Sequence, residues 1–231
     1  MSDLILFLNR FPEEETIMEL NQERIIGFVK YTQLYQKDCA SVLPKTAKLI
    51  QRINNLGFIT NDSQEGIYKK TINPKKKDGS IIKSSNGLGI KKIVESQRAY
   101  CDGFIRKELL PTLILELNKI NKNLMLITYP HFGPEYPLTK FYFEYEDNDF
   151  EVESHTHVEL SEMDDDSSDN ITVYFDNGYY SGPEETHFYL NKACWVRICI
   201  VDMIYGHNAM KEDGLFKCIE KSLITILGNL A

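Results

Sequence analysis

The stretch "LTKFYFEYEDNDFEVESHTHVEL", residues 138–160, decides the fold class. In its first part Phe141, Phe143 and Tyr145 occupy every second position, and the residues between them carry polar groups. Because successive side chains of a β-strand point to opposite faces, this alternation predicts a strand with one apolar and one polar face. A second β-rich run follows the turn sequence "DND", which predicts that the two runs pair as antiparallel strands.

Two more β-rich runs flank this stretch, "NLMLITY" at 123–129 and "NITVYFD" at 170–176. The segments between the runs carry the residues of turns and loops, such as "PHFGPEYP" and "SEMDDDSSD". Short links between successive strands are typical of antiparallel pairing. The region 124–176 therefore predicts a four-stranded antiparallel meander.

Apolar residues at helical spacing predict helices on both sides of this meander. The predicted helices cover 13–36, 43–56, 90–122, 183–205 and 208–228, with a kink or break at Pro111. Residues 66–84 contain the turn pair Asp78-Gly79 between two β-prone runs, and they predict a lysine-rich β-hairpin.

We therefore predict an α+β protein in which helices pack on an antiparallel four-stranded meander, with a separate N-terminal helical and hairpin part. Residues 1–123 form the helical region with the basic β-hairpin (66–84). Residues 124–231 form the antiparallel sheet followed by two C-terminal helices. We expect one compact unit, because 231 residues with 42% apolar content suffice for a sizeable core.

The compartment follows from features that the sequence lacks. No apolar run approaches the roughly 20 residues that a membrane-spanning helix needs. The first residues, "MSDLILFLNRFPEEE", have no basic start and no small-residue cleavage site, so they make a poor secretion signal. The five cysteines are an odd number without a C-x-x-C pair, which is typical of free thiols in a reducing compartment. We expect a cytoplasmic bacterial protein that does not bind a membrane.

The charge of the chain is divided unevenly between its two halves. Residues 1–123 carry 20 Lys/Arg and 14 Asp/Glu, a net charge of +6, whereas residues 124–231 carry 6 Lys/Arg and 20 Asp/Glu, a net charge of −14. The total is −8. Such an asymmetry indicates something about partners, although not about fold.

The segment 135–169 concentrates this negative charge, with 13 Asp/Glu and one Lys. Like charges at this density oppose folding, so they serve either solubility alone or contact with a basic partner. We predict the second: a non-enzymatic protein whose anionic surface engages a basic protein, as a toxin-neutralising inhibitor of the immunity type would, without a cofactor. The predicted partner-binding residues are Glu144, Glu146, Glu151, Glu153, His155, His157, Glu159, Asp164, Asp165 and Asp166.

An alternative is a metal enzyme. His155, His157 and Glu162 spell H-x-H-x-x-x-x-E, and two histidines at alternate strand positions lie on one face, where both could bind one metal ion. This spacing resembles the first metal-binding motif of cupins. His187 and Asn191 resemble the end of the second cupin motif.

The run from His187 to Arg197 also resembles the distal-histidine strand of iron/2-oxoglutarate oxygenases of the aspartyl-hydroxylase type. That resemblance implies that His157 and His187 would hold iron and that Arg197 would bind the carboxylate of the co-substrate. A helix over 183–205 would argue against this site, and a strand would favour it.

A second alternative is a DNA-binding regulator of the winged-helix kind. The segment 69–92 holds eight lysines and one acidic residue, Asp78. In this interpretation residues 43–56 would be the recognition helix and the hairpin 66–84 the wing. Lys75, Lys76 and Lys77 would then neutralise phosphates.

Overall fold

The structure is a computed structural model that describes residues 44–128, 137–146, 150–156, 170–174 and 187–229. Its helices are α1 (Pro44–Asn55), α2 (Leu110–Ile120) and α3 (Leu215–Asn229), and a 3-10 turn, Lys107–Leu109, precedes α2. Its strands are β1 (Ile59–Gln64), β2 (Ile67–Ile72), β3 (Ile90–Gln97), β4 (Tyr100–Arg106), β5 (Leu124–Thr128), β6 (Pro137–Tyr145), β7 (Phe150–Thr156), β8 (Asn170–Tyr174), β9 (His187–Asn191) and β10 (Trp195–Asp202).

A bent antiparallel ribbon organises these strands. β1 pairs with β4. β2 comes directly after β1 in the chain and pairs with β3, which comes directly before β4. The ribbon bends between β1 and β2, where Gly66 lies so close to the backbone of His207 that a Cβ would overlap the His207 carbonyl oxygen. One half of the ribbon therefore belongs to each of two sheets.

The first sheet has the strand order β1-β4-β10-β5 and the second has the order β2-β3-β6-β7. A two-stranded sheet pairs β8 with β9, and every pairing between these strands is antiparallel. Both four-stranded sheets combine strands from before and after residue 123, so the N-terminal hairpin region and the C-terminal β region share their sheets.

The three helices pack with the first sheet around one core. α3 contacts α1, α2, β4 and β10. The core includes these buried residues from the helices and the two central strands of that sheet: Leu49, Ile50, Ile53, Cys101, Ile105, Leu113, Leu117, Ile198, Ile200, Phe216, Ile219, Leu223 and Ile226. The predicted α+β class, with helices on an antiparallel four-stranded sheet, is confirmed.

Glu220 joins two of these helices at the edge of the core. Its carboxylate accepts hydrogen bonds from Arg52 of α1 and from Lys217 Nζ, the latter at 3.0 Å. Burial works to raise the pKa of Glu220, but the two hydrogen-bonded cations outweigh burial and lower it. The ion pair therefore helps to fix α1 against α3.

Several predicted elements are confirmed by position. The helix predicted at 43–56 is α1, and the predicted inward residues Ala47, Ile50 and Ile53 are buried. The last predicted helix, 208–228, is helical from Leu215 onwards. All four β-rich runs between 123 and 176 contain strands, β5 to β8. The helix predicted at 13–36 lies outside the described residues.

The helix predicted over 90–122 is wrong for its first half. Residues 90–106 form β3 and β4, and the helix begins only at Leu110. Strands are favoured here by the β-branched residues of "IKKIV" and by Gly103, which would weaken a helix. Pro111 does not kink a helix; it lies in the first turn of α2, where its missing N–H group costs no hydrogen bond.

The helix predicted over 183–205 is also wrong, because its described part forms β9 and β10, so one described helix rather than two follows the β region. β10 is a central strand with neighbours on both sides and runs through "WVRICIVD" with most residues buried. A strand buried on both faces is apolar without alternation, so its periodicity cannot be told from that of a buried helix segment.

Two predicted pairings are also corrected. The meander holds only for β6 and β7, because β5 pairs with β10 and β8 pairs with β9. In the basic hairpin, β2 pairs with β3 rather than with residues 80–83. The Asp78-Gly79 turn does form, at the tip of an extension between β2 and β3, with Gly79 at φ +84° and the Lys76 N–H donating to Ser80 O at 2.8 Å.

Gly103 allows β1 to lie close to β4, which yields a first prediction. A Cβ at this position would overlap the Ile59 carbonyl oxygen and the Phe58 ring, so Gly103→Ala forces the ribbon apart. We expect a loss of about 1–3 kcal/mol in the free energy of unfolding, measured by urea denaturation.

The control for this prediction is Gly228→Ala. A Cβ on Gly228, in α3, meets nothing within 4 Å, and alanine is a better helix former than glycine. We expect the control to be at least as stable as the parent chain. Equal stability of the Gly103 variant and the parent would contradict the close approach of the two strands.

Candidate functional site

The second sheet holds the predicted partner-binding residues that the structure describes. β6 and β7 pair so that Glu151 lies opposite Phe143, Glu153 opposite Phe141 and His155 opposite Thr139. β7 is the outermost strand on this side of the sheet among the described residues. The hairpin predicted from "LTKFYFEYEDNDFEVESHTHVEL" thus lies at a sheet edge.

The register of this sheet divides its charged residues between two faces. Residues directly opposite each other in antiparallel strands lie on the same face. The positions of Glu95, Glu151, Glu153 and His155 therefore share one face, which we call the acidic face, although Phe141, Phe143 and Lys69 lie at positions of the same face. The positions of Lys70, Lys92 and Lys140 share the other face, which we call the cationic face, and Glu144 lies there.

The predicted anionic surface is therefore not continuous across the sheet. Glu151, Glu153 and His155 occupy acidic-face positions, whereas Glu144 belongs to the cationic face. Glu146 follows β6 as an exposed residue, and its N–H group donates to Gly89 O at 3.1 Å. The remaining predicted residues, His157, Glu159, Asp164, Asp165 and Asp166, lie outside the described residues.

The basic hairpin and the acidic hairpin are neighbours in this sheet, because β3 pairs with β6. Lys92 Nζ lies 3.3 Å from a carboxylate oxygen of Glu144, and Lys69 Nζ lies 3.5 Å from one of Glu95. The Lys92–Glu144 pair thus compensates part of the charge asymmetry between the halves within one molecule, whereas Lys69 and Glu95 both belong to the first half. These side chains are partly exposed, so each pair contributes at most about 1 kcal/mol.

Lys75, Lys76 and Lys77 are all exposed, on the extension that joins β2 to β3. α1 presents Lys48, Gln51 and Arg52 to solvent, and Arg52 is engaged by Glu220. The winged-helix interpretation stays a prediction.

The residues of the metal-enzyme alternative lie on separate sheets. His187 begins β9, Arg197 lies in β10, and these strands belong to different sheets. His157 is outside the described residues. Within the described part of the chain, no group of three or more His, Cys, Asp and Glu side chains has the geometry to hold a metal ion.

Arg197, the predicted co-substrate ligand, binds a buried carboxylate instead. Its Nη2 and Nε atoms lie 2.7 Å and 3.1 Å from Asp102 Oδ2. Asp102 is 4% exposed. Burial raises the pKa of Asp102, and the Arg197 guanidinium opposes that rise by stabilising the ionised carboxylate. Asp102 and Arg197 therefore form a partly buried ion pair on the sheet face that does not contact the helices.

Polar groups from β1 and β4 extend this ion pair. Asn61 Nδ2 donates to Asp102 at 3.3 Å, and the Tyr100 hydroxyl donates to Asp62 at 2.5 Å. Burial and the adjacent Asp62 carboxylate raise the pKa of Tyr100. Burial also raises the pKa of Cys199, so its thiol stays protonated and is a poor nucleophile. These groups satisfy one another, as expected of a structural network.

A second polar pair escaped prediction from the sequence. Asp202 is fully buried at the end of β10, and one of its oxygens lies 2.6 Å from His207 Nδ1. The other oxygen accepts the Ile204 N–H at 3.0 Å. His207 Nε2 lies 3.5 Å from Asp213. The D-x-x-x-x-H spacing in a loop is no recognised motif, so nothing in the sequence signalled this pair.

This Asp–His pair acts as a clamp on the loop between β10 and α3. If this pair activated a nucleophilic side chain of the protein, that side chain would lie beside the imidazole. The nearby Cys218 thiol donates to Asp213 O at 3.2 Å, and burial raises its pKa to about 11. A thiol in that state is a weak nucleophile. The pair therefore orders the loop that packs against the bend of the ribbon.

No family model matches this chain, and no curated protein matches it significantly. Among the described residues, no helix has both the length and the apolar character needed to cross a membrane.

The Asp102–Arg197 pair yields a second prediction. Asp102→Leu removes the carboxylate and leaves the guanidinium uncompensated, so we expect a loss of about 3–5 kcal/mol in the free energy of unfolding. The double variant Asp102→Leu/Arg197→Met replaces both charges with apolar groups and should recover most of that loss. Urea denaturation of the parent, both single variants and the double variant measures the coupling. Additive effects of the two substitutions would show that Arg197 is not held by Asp102.

Proposed function

We propose that this chain is a non-enzymatic binding protein whose acidic surface engages a basic protein, in the manner of a toxin-neutralising inhibitor. The observation that carries the proposal is the position of Glu151 and Glu153 on a strand that is outermost among those the structure describes. They occupy alternate positions of β7, on the acidic face that they share with Glu95. A strand at an edge is accessible to a partner from the side as well as from the face.

Charge supports a basic partner. The stretch after β7 continues with Glu159 and Asp164–Asp166, so the sequence adjoining this edge is strongly anionic. A field of one sign steers an oppositely charged protein and raises the association rate. The surface would also complement the basic, nucleic-acid-binding face of a nuclease-type toxin.

The engagement of the ionisable groups supports binding rather than catalysis. Arg197 is bound by Asp102, and His207 is bound by Asp202. Cys101, Cys199 and Cys218 are buried free thiols, which suits a reducing compartment such as the cytoplasm. A cytoplasmic location belongs to the same proposal, since an immunity-type inhibitor acts where its toxin would act.

The proposal yields a third prediction, on Glu153→Lys. The immobilised parent chain should capture a basic protein from a lysate of the cells that produce it, identified by mass spectrometry. With that protein purified, we expect Glu153→Lys to raise the dissociation constant about tenfold, because an attractive charge becomes repulsive. The difference in dissociation constant between the variant and the parent should become smaller as the salt concentration rises from about 50 to about 300 mM, because salt screens exposed charges.

The matched control is Glu212→Lys, which makes the same change of charge on a loop before α3. The Glu212 side chain is 80% exposed and lies outside the second sheet. We expect the control to bind as the parent does. If both variants lose the same affinity, net charge rather than the acidic face governs capture. If the captured protein is not basic, the proposal is wrong.

The metal enzyme remains a second candidate because His187 lies at the start of a strand rather than on a helix. A strand there is what the resemblance to the oxygenases requires. Arg197 could serve a co-substrate only after release from Asp102.

Metal analysis separates the two candidates and gives a fourth prediction. Under our proposal the purified protein contains no stoichiometric iron after growth in iron-supplemented medium. Element analysis by plasma mass spectrometry measures this, with His157→Ala and His187→Ala prepared in parallel. One iron per chain that is lost in both variants would favour the enzyme.

A further inference from the structure

The cationic face of the second sheet carries a group of tyrosines and cations that the proposed function does not use. We call it the tyrosine–cation cluster. It consists of Tyr68 and Lys70 on β2, Arg98 at the bend, Lys140 and Tyr142 on β6, and Tyr205 in the loop after β10.

The cluster is built by cation–ring contacts. Lys140 Nζ lies 5.1 Å from the ring centre of Tyr142 and 5.7 Å from that of Tyr205. The guanidinium of Arg98 lies 4.2 Å from the Tyr205 ring centre. Because cations within about 6 Å of a ring are attracted to its face, these contacts hold the side chains in place.

The backbone beneath the cluster is rigid. The Gly206 N–H donates to Gln97 O at 2.9 Å, which anchors the loop of Tyr205 to β3. A Cβ on Gly206 would lie within 3.2 Å of Tyr68 Cβ and Ser96 Oγ, so the loop rests directly on the sheet. Val94 and Ser96 are buried between the outer strand and β6. The cluster therefore stands on a packed platform formed by the sheet and this loop.

Two tyrosines of this platform are open to solvent. Tyr68 is 62% exposed and Tyr142 is 37% exposed. Exposed aromatic rings on a rigid sheet are costly to leave in water and offer a planar face to a ligand. Lys70 is exposed two residues from Tyr68 on β2, in the same row across the sheet as Tyr142.

Carboxylates are excluded from the part of the face that carries the cluster. One row across the sheet is Tyr68, Ser96, Lys140 and Ser154, and the next is Lys70, Val94, Tyr142 and Val152. Neither row contains an acidic residue, although β6 and β7 lie in the most acidic segment of the chain. Along β2 the face leads to the extension with Lys75, Lys76 and Lys77. The row before that extension, Ile72, Lys92, Glu144 and Phe150, holds one carboxylate, which Lys92 compensates. The result is a track of net positive charge with two ring faces.

We propose that the tyrosine–cation cluster binds single-stranded nucleic acid. Bases would stack on Tyr68 and Tyr142, and phosphates would contact Lys70, Lys140 and the lysines of the extension. Stacking on exposed rings requires unpaired bases, so a duplex cannot use the platform. A repeating polyanion also matches a track of separated cations better than a compact acidic protein does, because both charges recur along a line.

Fluorescence anisotropy tests this proposal and measures a fifth prediction. The probes are a fluorescein-labelled 20-nucleotide single-stranded RNA, the DNA strand of the same sequence, the corresponding duplex, and polyglutamate of similar charge. We expect one or both single strands to bind more tightly than the duplex and polyglutamate. Tyr68→Ala should weaken single-strand binding roughly tenfold through the loss of one stacked base.

Two matched controls separate the cluster from general effects. Leu115→Ala removes a side chain of similar exposure, 61%, from α2, and it should leave binding unchanged. Lys70→Gln should lower the slope of log affinity against log salt by about one. Lys69→Gln removes the same charge from the adjacent residue, whose register position lies on the acidic face, and should change the slope less.

The remaining outcomes overturn the proposal. Equal affinity of the Tyr68→Ala and Leu115→Ala variants would show that the rings do not stack with bases. Duplex binding as tight as single-strand binding would place the contact on lysines alone, as in the winged-helix interpretation. If polyglutamate binds and Tyr68→Ala weakens that binding equally, the cluster binds an acidic protein rather than nucleic acid. Circular dichroism of each variant checks that it folds, and Tyr68 is exposed on an outer strand. If Tyr68→Ala does not fold, the proposal is tested by Lys70→Gln and Lys69→Gln. Equal salt slopes for these two variants would contradict it.

Discussion

The bent ribbon of residues 59–72 and 90–106 is the constraint on which the rest of the structure depends. It is one continuous antiparallel pairing, and its halves start two different sheets. Gly103 lets the two strands approach closely at one end, and Gly66 lets the bend pack against the loop that follows β10. β10 and β6 add to the edges that the ribbon provides, and β5 and β7 add to those strands in turn. The α-helical core and the charged second sheet are therefore placed relative to the ribbon.

The period of two along each strand explains how an acidic segment and a lysine-rich segment share one sheet. Alternate residues point to opposite faces, and the register decides which charges become neighbours. Here Lys92 forms an ion pair with Glu144 on the neighbouring strand, whereas Glu151 and Glu153 take positions on the other face. A shift of one residue in β7 would move both glutamates to the face that carries Lys140. The two faces consequently differ in charge.

Buried polar pairs account for several residues that look functional in the sequence. Arg197 lies in a pattern like that of a co-substrate ligand, yet its guanidinium compensates Asp102 inside the first sheet. His207 lies in a loop, where functional residues are common, yet it satisfies the buried carboxylate of Asp202. In both cases the cost of burying a charge without a partner explains the residue without invoking a reaction.

The sequence by itself determined the α+β class and the strands between 123 and 156, because half-buried strands alternate and α1 and α3 show a helical apolar stripe. It also determined the overall distribution of charge. Tertiary structure alone decided that 90–106 and 187–202 contain strands. Within them β4 and β10 are largely buried on both faces, so they lose the alternation that identifies a strand. Tertiary structure alone also decided which strands pair, and therefore which charges share a face. Asp102 and Arg197, like Lys92 and Glu144, lie far apart in the chain, so contacts between strands join them and no local sequence pattern does.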